Sequence, residues 1–248
     1  MAEFNRHNNE IQKNVEFWEH KPILHTIYDE FYSLIANNLN QSIDGKIVEI
    51  GSGIGNLKKY VPGCICTDVF NNPWIDQVEN AYKLSFKDNE VSNIILFDVW
   101  HHLEFPVSAL NEFKRVLKKH GHIIIFEPYI SFLGWIVYGI FHPEDVAWFK
   151  KINTNDNITP KLNDLSYYAA QGNASRFFLQ KKYHRHLSGF SIKNTEKIPA
   201  IAYVLSGGYS KKQMFPDRHY LKIKKIESWI KNMPSLFATR ISIVLEKQ

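Results

Sequence analysis

The chain has 248 residues, of which 44% are hydrophobic and 22% charged, with a formal net charge of +5 and two cysteines. This size and composition suit one α/β domain with additions, and the mild charge fits a solvated surface better than a nucleic-acid interface. With no apolar run of ~18 residues, no basic-then-apolar leader pattern and no disulfide framework, we expect a reduced cytoplasmic protein without a membrane span.

Residues 4–40 carry apolar side chains at near-helical spacing, from Phe17 to Leu34. The spacing predicts helices ahead of the first strand. These helices either cover a ligand site or pack plainly on the sheet, and both interpretations remain open.

Residues 46–56 are the most informative stretch of the chain. An apolar, β-branched run leads into three alternating glycines, from Gly51 to Gly55, and Glu49 stands two residues before the first of them. The pattern predicts a buried strand, a tight turn that approaches a ligand closely, and then a helix. A dinucleotide site would have its third glycine at Asn56, so the spacing disfavours that class. An ordinary glycine-rich turn is the simpler alternative.

The segments that follow have the order expected of a doubly wound sheet. Cys64–Asp68 predicts a second strand whose terminal carboxylate can accept both hydroxyls of a ribose, or merely cap a turn. Further on, residues 93–103 predict a fourth strand and its exit. Residues 106–119 show a helical stripe, and a fifth strand closes at Glu127 and Pro128.

Together with residues 80–86, these segments resemble the class I S-adenosylmethionine (SAM) dependent methyltransferases, specifically small-molecule enzymes with a methyltransferase domain of type 11. The resemblance covers residues 45–128. It implies an α/β, Rossmann-like, seven-stranded sheet, mostly parallel with an antiparallel last strand. Helices would cover both faces, and a helical insertion would precede the C-terminal strands. The family usually has Asp where this chain has Asn80 and Asn93.

The resemblance also implies SAM as the cofactor and S-adenosylhomocysteine as its product. An amide at position 80 can still pair with the adenine edge. The implied cofactor residues are Glu49, Gly51, Ser52 and Gly53 at the methionine end, Asp68 at the ribose, Asn80, Ala81 and Leu84 at the adenine, and Phe97 lining the site from the fourth strand.

Residues 129–141 contain no charged side chain, and Gly134 and Gly139 weaken them as a helix. They are too short to span a bilayer. We expect a lid over an apolar acceptor, with interfacial membrane contact or ordinary core as the alternatives.

The rest of the chain completes one predicted domain over residues 1–248. Residues 198–205 predict a strand, residues 220–233 an amphipathic helix, and residues 241–245 the final strand. The predicted parts are an N-terminal helical cover at 1–44, the SAM-binding core at 45–128, a lid and acceptor insertion at 129–200, and C-terminal strands at 201–248.

The predicted function is in-line transfer of the SAM methyl group to a small-molecule or lipid-linked acceptor. The protein would mainly align the nucleophile and exclude water. A hydroxyl acceptor would also need a general base, and no metal is expected. The candidate bases are Asp98, His101, His102, His142, Glu144 and Asp145, of which His101, His102 and His142 are the predicted catalytic residues. A structural role for the histidine pair, and a helix start at 142–145, are the alternatives.

Two other functions remain open. One is a non-catalytic partner protein that keeps the SAM fold, and the other is an NAD-dependent oxidoreductase. Nucleic acid is an unlikely substrate, because no Asn/Asp-Pro-Pro-aromatic run follows the fourth strand and no cysteine follows the fourth or fifth.

Overall fold

The computed structural model describes residues 2–140, 144–164 and 166–248, apart from the side chains of residues 2–5 and 163. The strands are β1 Lys46–Ile50, β2 Cys64–Asp68, β3 Gln77–Val78, β4 Val91–Phe97, β5 Leu117–Pro128, β6 Phe190–Ile198 and β7 Arg240–Lys247. They form one seven-stranded sheet in the order β3-β2-β1-β4-β5-β7-β6. Only β7 runs antiparallel to its neighbours, β5 and β6. The predicted fold class is confirmed.

Helices cover both faces of the sheet. They are α1 Ala2–His20, α2 Pro22–Asn37, α3 Pro106–Val116, α4 Phe132–Ile140, α5 Asn173–Leu179, α6 Ile201–Ser206, α7 Tyr220–Ile230 and α8 Pro234–Phe237. On one face, Ile94, Ile123 and Ile125 pack with residues of α3 and α5. On the other, Ile95 and Ile124 pack with residues of α2, α6 and α7. Because successive side chains of a strand point to opposite faces, strands buried on both sides read as unbroken apolar runs.

The helix predicted after the glycine turn is reduced to one short turn. Only a 3-10 helix, Asn56–Lys59, follows β1. The connection from Gly51 to Gly63 must also form the glycine turn, and Pro62 cannot extend a helix. The helix predicted to follow the glycine turn is therefore present only as this one 3-10 turn.

The strand predicted at residues 198–205 was wrong. The strand in this region is β6, which ends at Ile198, and the following residues form α6 up to Gly207, whose φ of 72° closes the helix. β6 lies at the edge of the sheet and is largely exposed, so its polar sequence did not show the apolar run of the buried strands. The predicted helix at 220–233 and strand at 241–245 correspond to α7 and β7.

Residues 132–140 form a helix, α4, despite two glycines. The Ser131 hydroxyl accepts the backbone N–H of Gly134 at 3.0 Å, which caps the first turn. A Cβ at position 134 would overlap the carbonyl oxygen of Tyr129, so glycine permits this close packing. Among the described residues, no helix is both long enough and apolar enough to cross a membrane.

Candidate functional site

A cavity of about 1360 Å³ opens where the parallel strands end. Its floor is formed by the residues that follow β1, β2 and β4, the position at which open α/β sheets bind their ligands. Helix α1 lies across the cavity and contributes seven lining residues: Arg6, His7, Glu10, Ile11, Lys13, Asn14 and Phe17. One side of α4 and residues 203–214 complete the wall.

The glycine turn is shaped by three residues in the left-handed region. Gly51, Gly53 and Gly55 have φ angles of 70°, 54° and 65°. A Cβ at Gly51 would collide with Val99, and one at Gly55 with the carbonyl oxygen of Trp74. A Cβ at Gly53 would meet nothing within 4 Å. Gly53 therefore leaves backbone open to the cavity, where a ligand can approach it.

Glu49 presents a buried carboxyl group to this cavity. The residue is 4% exposed, and its Oε2 has no hydrogen-bond partner among the described residues. Burial raises the pKa of the Glu49 carboxyl well above its ordinary value, and the neighbouring Cys66 adds to this. A buried carboxyl oxygen without a donor fits a ligand that brings one, such as an ammonium group.

Asp68 ties the end of β2 to the glycine turn. Its Oδ2 accepts the backbone N–H of Gly53 at 3.0 Å, and its Oδ1 accepts that of Val69 at 2.7 Å. The Nε2 of His7, from α1, lies 3.2 Å from the same Oδ1. Because a carboxylate offers about four acceptor positions, Asp68 can also accept hydroxyls from a ligand.

Asn80 and Ala81 line the cavity beside Tyr82. The Asn80 side chain accepts the backbone N–H of Tyr82 at 3.0 Å and donates to the carbonyl oxygen of Pro160 at 2.7 Å. The amide thereby fastens the 158–160 loop, which is also part of the cavity wall.

Of the two remaining predicted cofactor residues, one lines the cavity and the other does not. Leu84 does not line the cavity: its side chain belongs to the sheet core, and its backbone N–H donates to Glu112 at 2.6 Å. Phe97 does line the cavity and stacks on Tyr28, with 5.5 Å between ring centroids. The predicted cofactor residues found together in the cavity wall are Glu49, Gly51, Ser52, Gly53, Asp68, Asn80, Ala81 and Phe97.

The predicted catalytic histidines meet a carboxylate at the cavity wall. The Nε2 of His101 lies 3.5 Å from Oε2 of Glu144, and the Nε2 of His102 lies 3.9 Å from Oε1. We refer to His101, His102 and Glu144 as the His–His–Glu cluster. The third predicted histidine, His142, lies outside the described residues, and Asp145 is exposed and does not line the cavity.

Other residues fix the orientation of this cluster. The Nδ1 of His101 lies 2.7 Å from Oε2 of the fully buried Glu127, and the Nδ1 of His102 lies 2.8 Å from the carbonyl oxygen of Tyr168. The Tyr167 hydroxyl and the Gln171 side-chain amide donate to Glu144. These partners come from widely separated parts of the chain, so sequence spacing could not reveal them.

The two neighbouring histidines have opposite pKa shifts. Burial lowers the pKa of His101, but the carboxylates of Glu127 and Glu144 outweigh it and raise the pKa to about 10. Burial and the adjacent His101 charge lower the pKa of His102 to about 4. In spite of burial, both histidines hold the pKa of Glu144 well below its usual range. At neutral pH the cluster thus contains one imidazolium, one neutral imidazole and one carboxylate.

An ion pair that the sequence did not predict lies in the same wall. Asp98, with a φ of 57°, accepts a hydrogen bond from Arg240, the first residue of β7. Arg240 is 2% exposed, and its guanidinium lies 4.4 Å from the ring centroid of Tyr203. The ion pair therefore occupies the Asp98 carboxylate, one of the candidate bases, with a buried guanidinium. A lone charge at the head of an apolar strand was the only signal for Arg240.

Comparison with protein families and structures agrees with this geometry. Residues 48–125 match a family model described as a methyltransferase domain. No curated protein sequence matches the chain. The chain is similar to geranyl diphosphate C-methyltransferase from Streptomyces coelicolor A3(2), solved with Mg²⁺, geranyl diphosphate and S-adenosylhomocysteine. Sequence identity is 13%, the TM-score is 0.54, and 91% of this chain and 82% of that chain are covered.

Two further structures have comparable similarity. A geranyl diphosphate methyltransferase solved with SAM has 10% identity and a TM-score of 0.54, covering 91% of this chain and 87% of its own. The methyltransferase in a complex with the Trm112 activator of Haloferax volcanii has 10% identity and a TM-score of 0.51, covering 94% and 96%. At such identities the likeness is one of fold. The chain therefore shares its fold with SAM-dependent methyltransferases, and its residues 48–125 match the methyltransferase domain family.

Proposed function

We propose that this chain transfers the methyl group of SAM to a small, largely apolar acceptor, either free or lipid-linked, bound in the same cavity as the cofactor. One observation carries the proposal: a single cavity joins the glycine turn and the unpartnered Oε2 of Glu49 to an apolar wall formed by α4. Its volume of about 1360 Å³ exceeds the roughly 300–1,000 Å³ of a pocket for one drug-sized ligand. The cavity has room for a donor and an acceptor together.

In this proposal the cofactor lies along the ends of β1, β2 and β4. The carboxyl group of Glu49 pairs with the ammonium group of the methionine end, and the open backbone at Gly53 allows close approach. Asp68 accepts the ribose hydroxyls, while Asn80 and Ala81 border the adenine. The acceptor half of the cavity is formed by α4 and by residues 203–214.

The character of α4 supports an apolar acceptor. Leu133, Ile136 and Val137 line the cavity, and the helix contains no charged residue. On its other side, Phe132 and Ile140 are exposed. A helix that is apolar on both sides can separate a cavity from a lipid surface, which is a suitable arrangement for an acceptor that resides in or on a membrane.

The reaction requires little covalent chemistry from the protein. The acceptor lone pair forms a bond to the methyl carbon while the carbon–sulfur bond breaks, so the sulfonium becomes the neutral thioether of S-adenosylhomocysteine. The acceptor proton, where there is one, leaves to a base or to water. The cavity residues contribute by aligning the nucleophile with the carbon–sulfur bond and by excluding competing water.

Calorimetric titration with SAM and S-adenosylhomocysteine tests the cofactor site. We expect Asp68→Ala to weaken SAM binding by about 1.5–3 kcal/mol, the usual loss when a hydrogen bond to a charged group is removed. Asp44→Ala is the matched control, because Asp44 is exposed and remote from the cavity, and it should bind as the wild type does. Absence of SAM binding by the folded wild-type protein would disprove the proposal.

A further inference from the structure

We propose that His101, His102 and Glu144 bind a divalent first-row transition metal ion, Zn²⁺ or Fe²⁺, at the wall of the methyl-transfer cavity. The sequence had led us to expect no metal. Binding of the ion is a property of the cluster itself, whereas its role in catalysis rests on the proposed function.

The distances within the cluster suit a shared ion. One ligand atom from each of the three residues can be chosen so that all lie within 4.8 Å of one another. Both imidazole Nε2 atoms face the Glu144 carboxylate, at 3.5 and 3.9 Å. Ligands of a tetrahedral site with metal bonds of about 2.1 Å lie about 3.4 Å apart. Both nitrogen–carboxylate distances are therefore within about 0.5 Å of the spacing of a tetrahedral site.

The hydrogen bonds around the cluster are those that orient metal ligands. In each histidine the Nδ1 faces an acceptor, Glu127 for His101 and the Tyr168 carbonyl for His102. The Nδ1 proton is therefore donated outward, which leaves Nε2 as the atom that can coordinate. A histidine that binds a metal almost always donates its other ring N–H to a carboxylate or a carbonyl.

A buried amide nearby is a second, independent observation. Gln171 lines the same cavity, is 2% exposed and donates its amide to Glu144. Its Oε1 has no hydrogen-bond partner within the described part of the chain. An unpaired buried amide oxygen is costly, and a water molecule bound to the metal would supply the missing donor.

Two imidazoles and one carboxylate indicate the class of metal. This ligand set, with positions left open, is typical of catalytic Zn²⁺ and of non-haem Fe²⁺, whereas Mg²⁺ and Ca²⁺ prefer all-oxygen ligands. Because a metal ligand must be deprotonated, binding would displace the proton held by His101. An ion at this position would coordinate an oxygen of the acceptor and favour its deprotonated, nucleophilic form.

Metal uptake by the purified full-length protein tests this inference. The protein is stripped with a chelator, exposed to Zn²⁺ or Co²⁺ and dialysed. Metal content is then measured, together with the visible d–d absorption of bound Co²⁺. We expect one ion per chain in the wild type. Tyr167→Phe removes only a hydrogen bond to the ligand Glu144 and should lower metal affinity by roughly 10–100-fold. Glu144→Gln and His102→Asn each remove a ligand and should lower it by more.

His25→Gln is the matched control, since His25 is an exposed histidine outside the cavity, and it should retain wild-type uptake. Circular dichroism and SAM affinity establish that each variant is folded. If the stripped wild type takes up neither ion, or if Glu144→Gln and His102→Asn take up as much as the wild type, the inference is overturned. Metal uptake without SAM binding would support the metal site and disprove the proposed function.

Discussion

At two positions where the methyltransferase family usually has aspartate, this chain uses the N–H of an asparagine. The Asn93 side chain accepts the backbone N–H of Asn40 at 2.8 Å and donates to its carbonyl oxygen at 3.2 Å. Asn80 donates in the same way to Pro160. A carboxylate cannot donate, so both departures follow from backbone groups outside the motif. The motif alone could not explain them.

We therefore expect Asn93→Asp to lower the free energy of unfolding by about 1–3 kcal/mol, because it removes the donor to the half-buried Asn40 carbonyl and places a carboxylate at a buried position. Urea denaturation measures the change. Asn111→Asp makes the same chemical change at an exposed amide, 3.3 Å from the Asp156 carbonyl oxygen, and should have little effect. Equal stability of the two variants would contradict this reading of Asn93.

Glu49 should give the apoprotein a distinctive dependence on pH. Because burial raises its pKa above the ordinary 4.5, the folded state keeps a proton that the unfolded state releases. Its contribution to stability is thus complete below pH 4.5 and is lost as pH rises towards the folded pKa.

Thermal melting of wild type and Glu49→Gln over a series of pH values tests this. The stability of the wild type relative to the variant should fall as pH increases, and SAM, whose ammonium group favours the carboxylate, should oppose that fall. Parallel curves for the two proteins would show that Glu49 titrates normally.

At the scale of elements, the inner and outer sides of α4 should be separable. Ile136 lines the cavity, whereas Ile140 is 60% exposed. Once an acceptor has been found, Ile136→Ser should reduce kcat/KM for it by roughly 10–200-fold, the range for altered apolar contact in a pocket. Ile140→Ser should leave turnover of a soluble acceptor unchanged. Equal losses in both variants would mean that α4 acts through stability and not through the acceptor pocket.

Some of the strands and helices were predictable from the sequence, and others were not. β1, β2 and β4 were predictable because each is a buried run that ends in a motif, and predicted cofactor residues lie at or just after the ends of those runs. β6 was not, because an edge strand is solvated and needs no apolar pattern. α4 depends on the Ser131 cap and on packing against Tyr129, which override the weak helix propensity of glycine.

The acceptor half of the site could not be predicted for a different reason. Gln171 and Arg240 reach the cavity from a loop and from the last strand, and Glu144, although a candidate base in the sequence, could not be placed beside the histidine pair. Their positions depend on the tertiary fold, not on any local period. Sequence spacing identified the histidine pair but not the carboxylates and carbonyls that orient it.

For the whole molecule, exposed apolar side chains predict association with lipid. Phe132 and Trp135 of α4 are exposed, as is Leu236 of α8, which packs beside α4. Trp229, near the end of α7, is 68% exposed, and the Lys225 ammonium lies 5.9 Å from its ring centroid. Aromatic and basic groups together suit an anionic bilayer surface.

We expect the protein to co-sediment with anionic vesicles more than with neutral ones, and less as salt increases. Trp135→Ser should reduce binding. Trp74→Ser, which removes a tryptophan near β3 at the opposite end of the sheet, should not. Vesicle binding that does not depend on lipid charge and is unchanged in Trp135→Ser would contradict the predicted association of α4 with lipid.

The position of β7 has a consequence for how the protein is made. β7 is the last strand in chain order, yet it lies between β5 and β6, and it is the only strand in the described residues that pairs with β6. While a ribosome is still synthesising residues 240–247, the nascent chain therefore has an unpaired β6 and an open edge on β5. Such edges are templates for pairing with other chains. β7 must therefore form before these edges are protected from aggregation, and Arg240 closes the cavity wall at the same step.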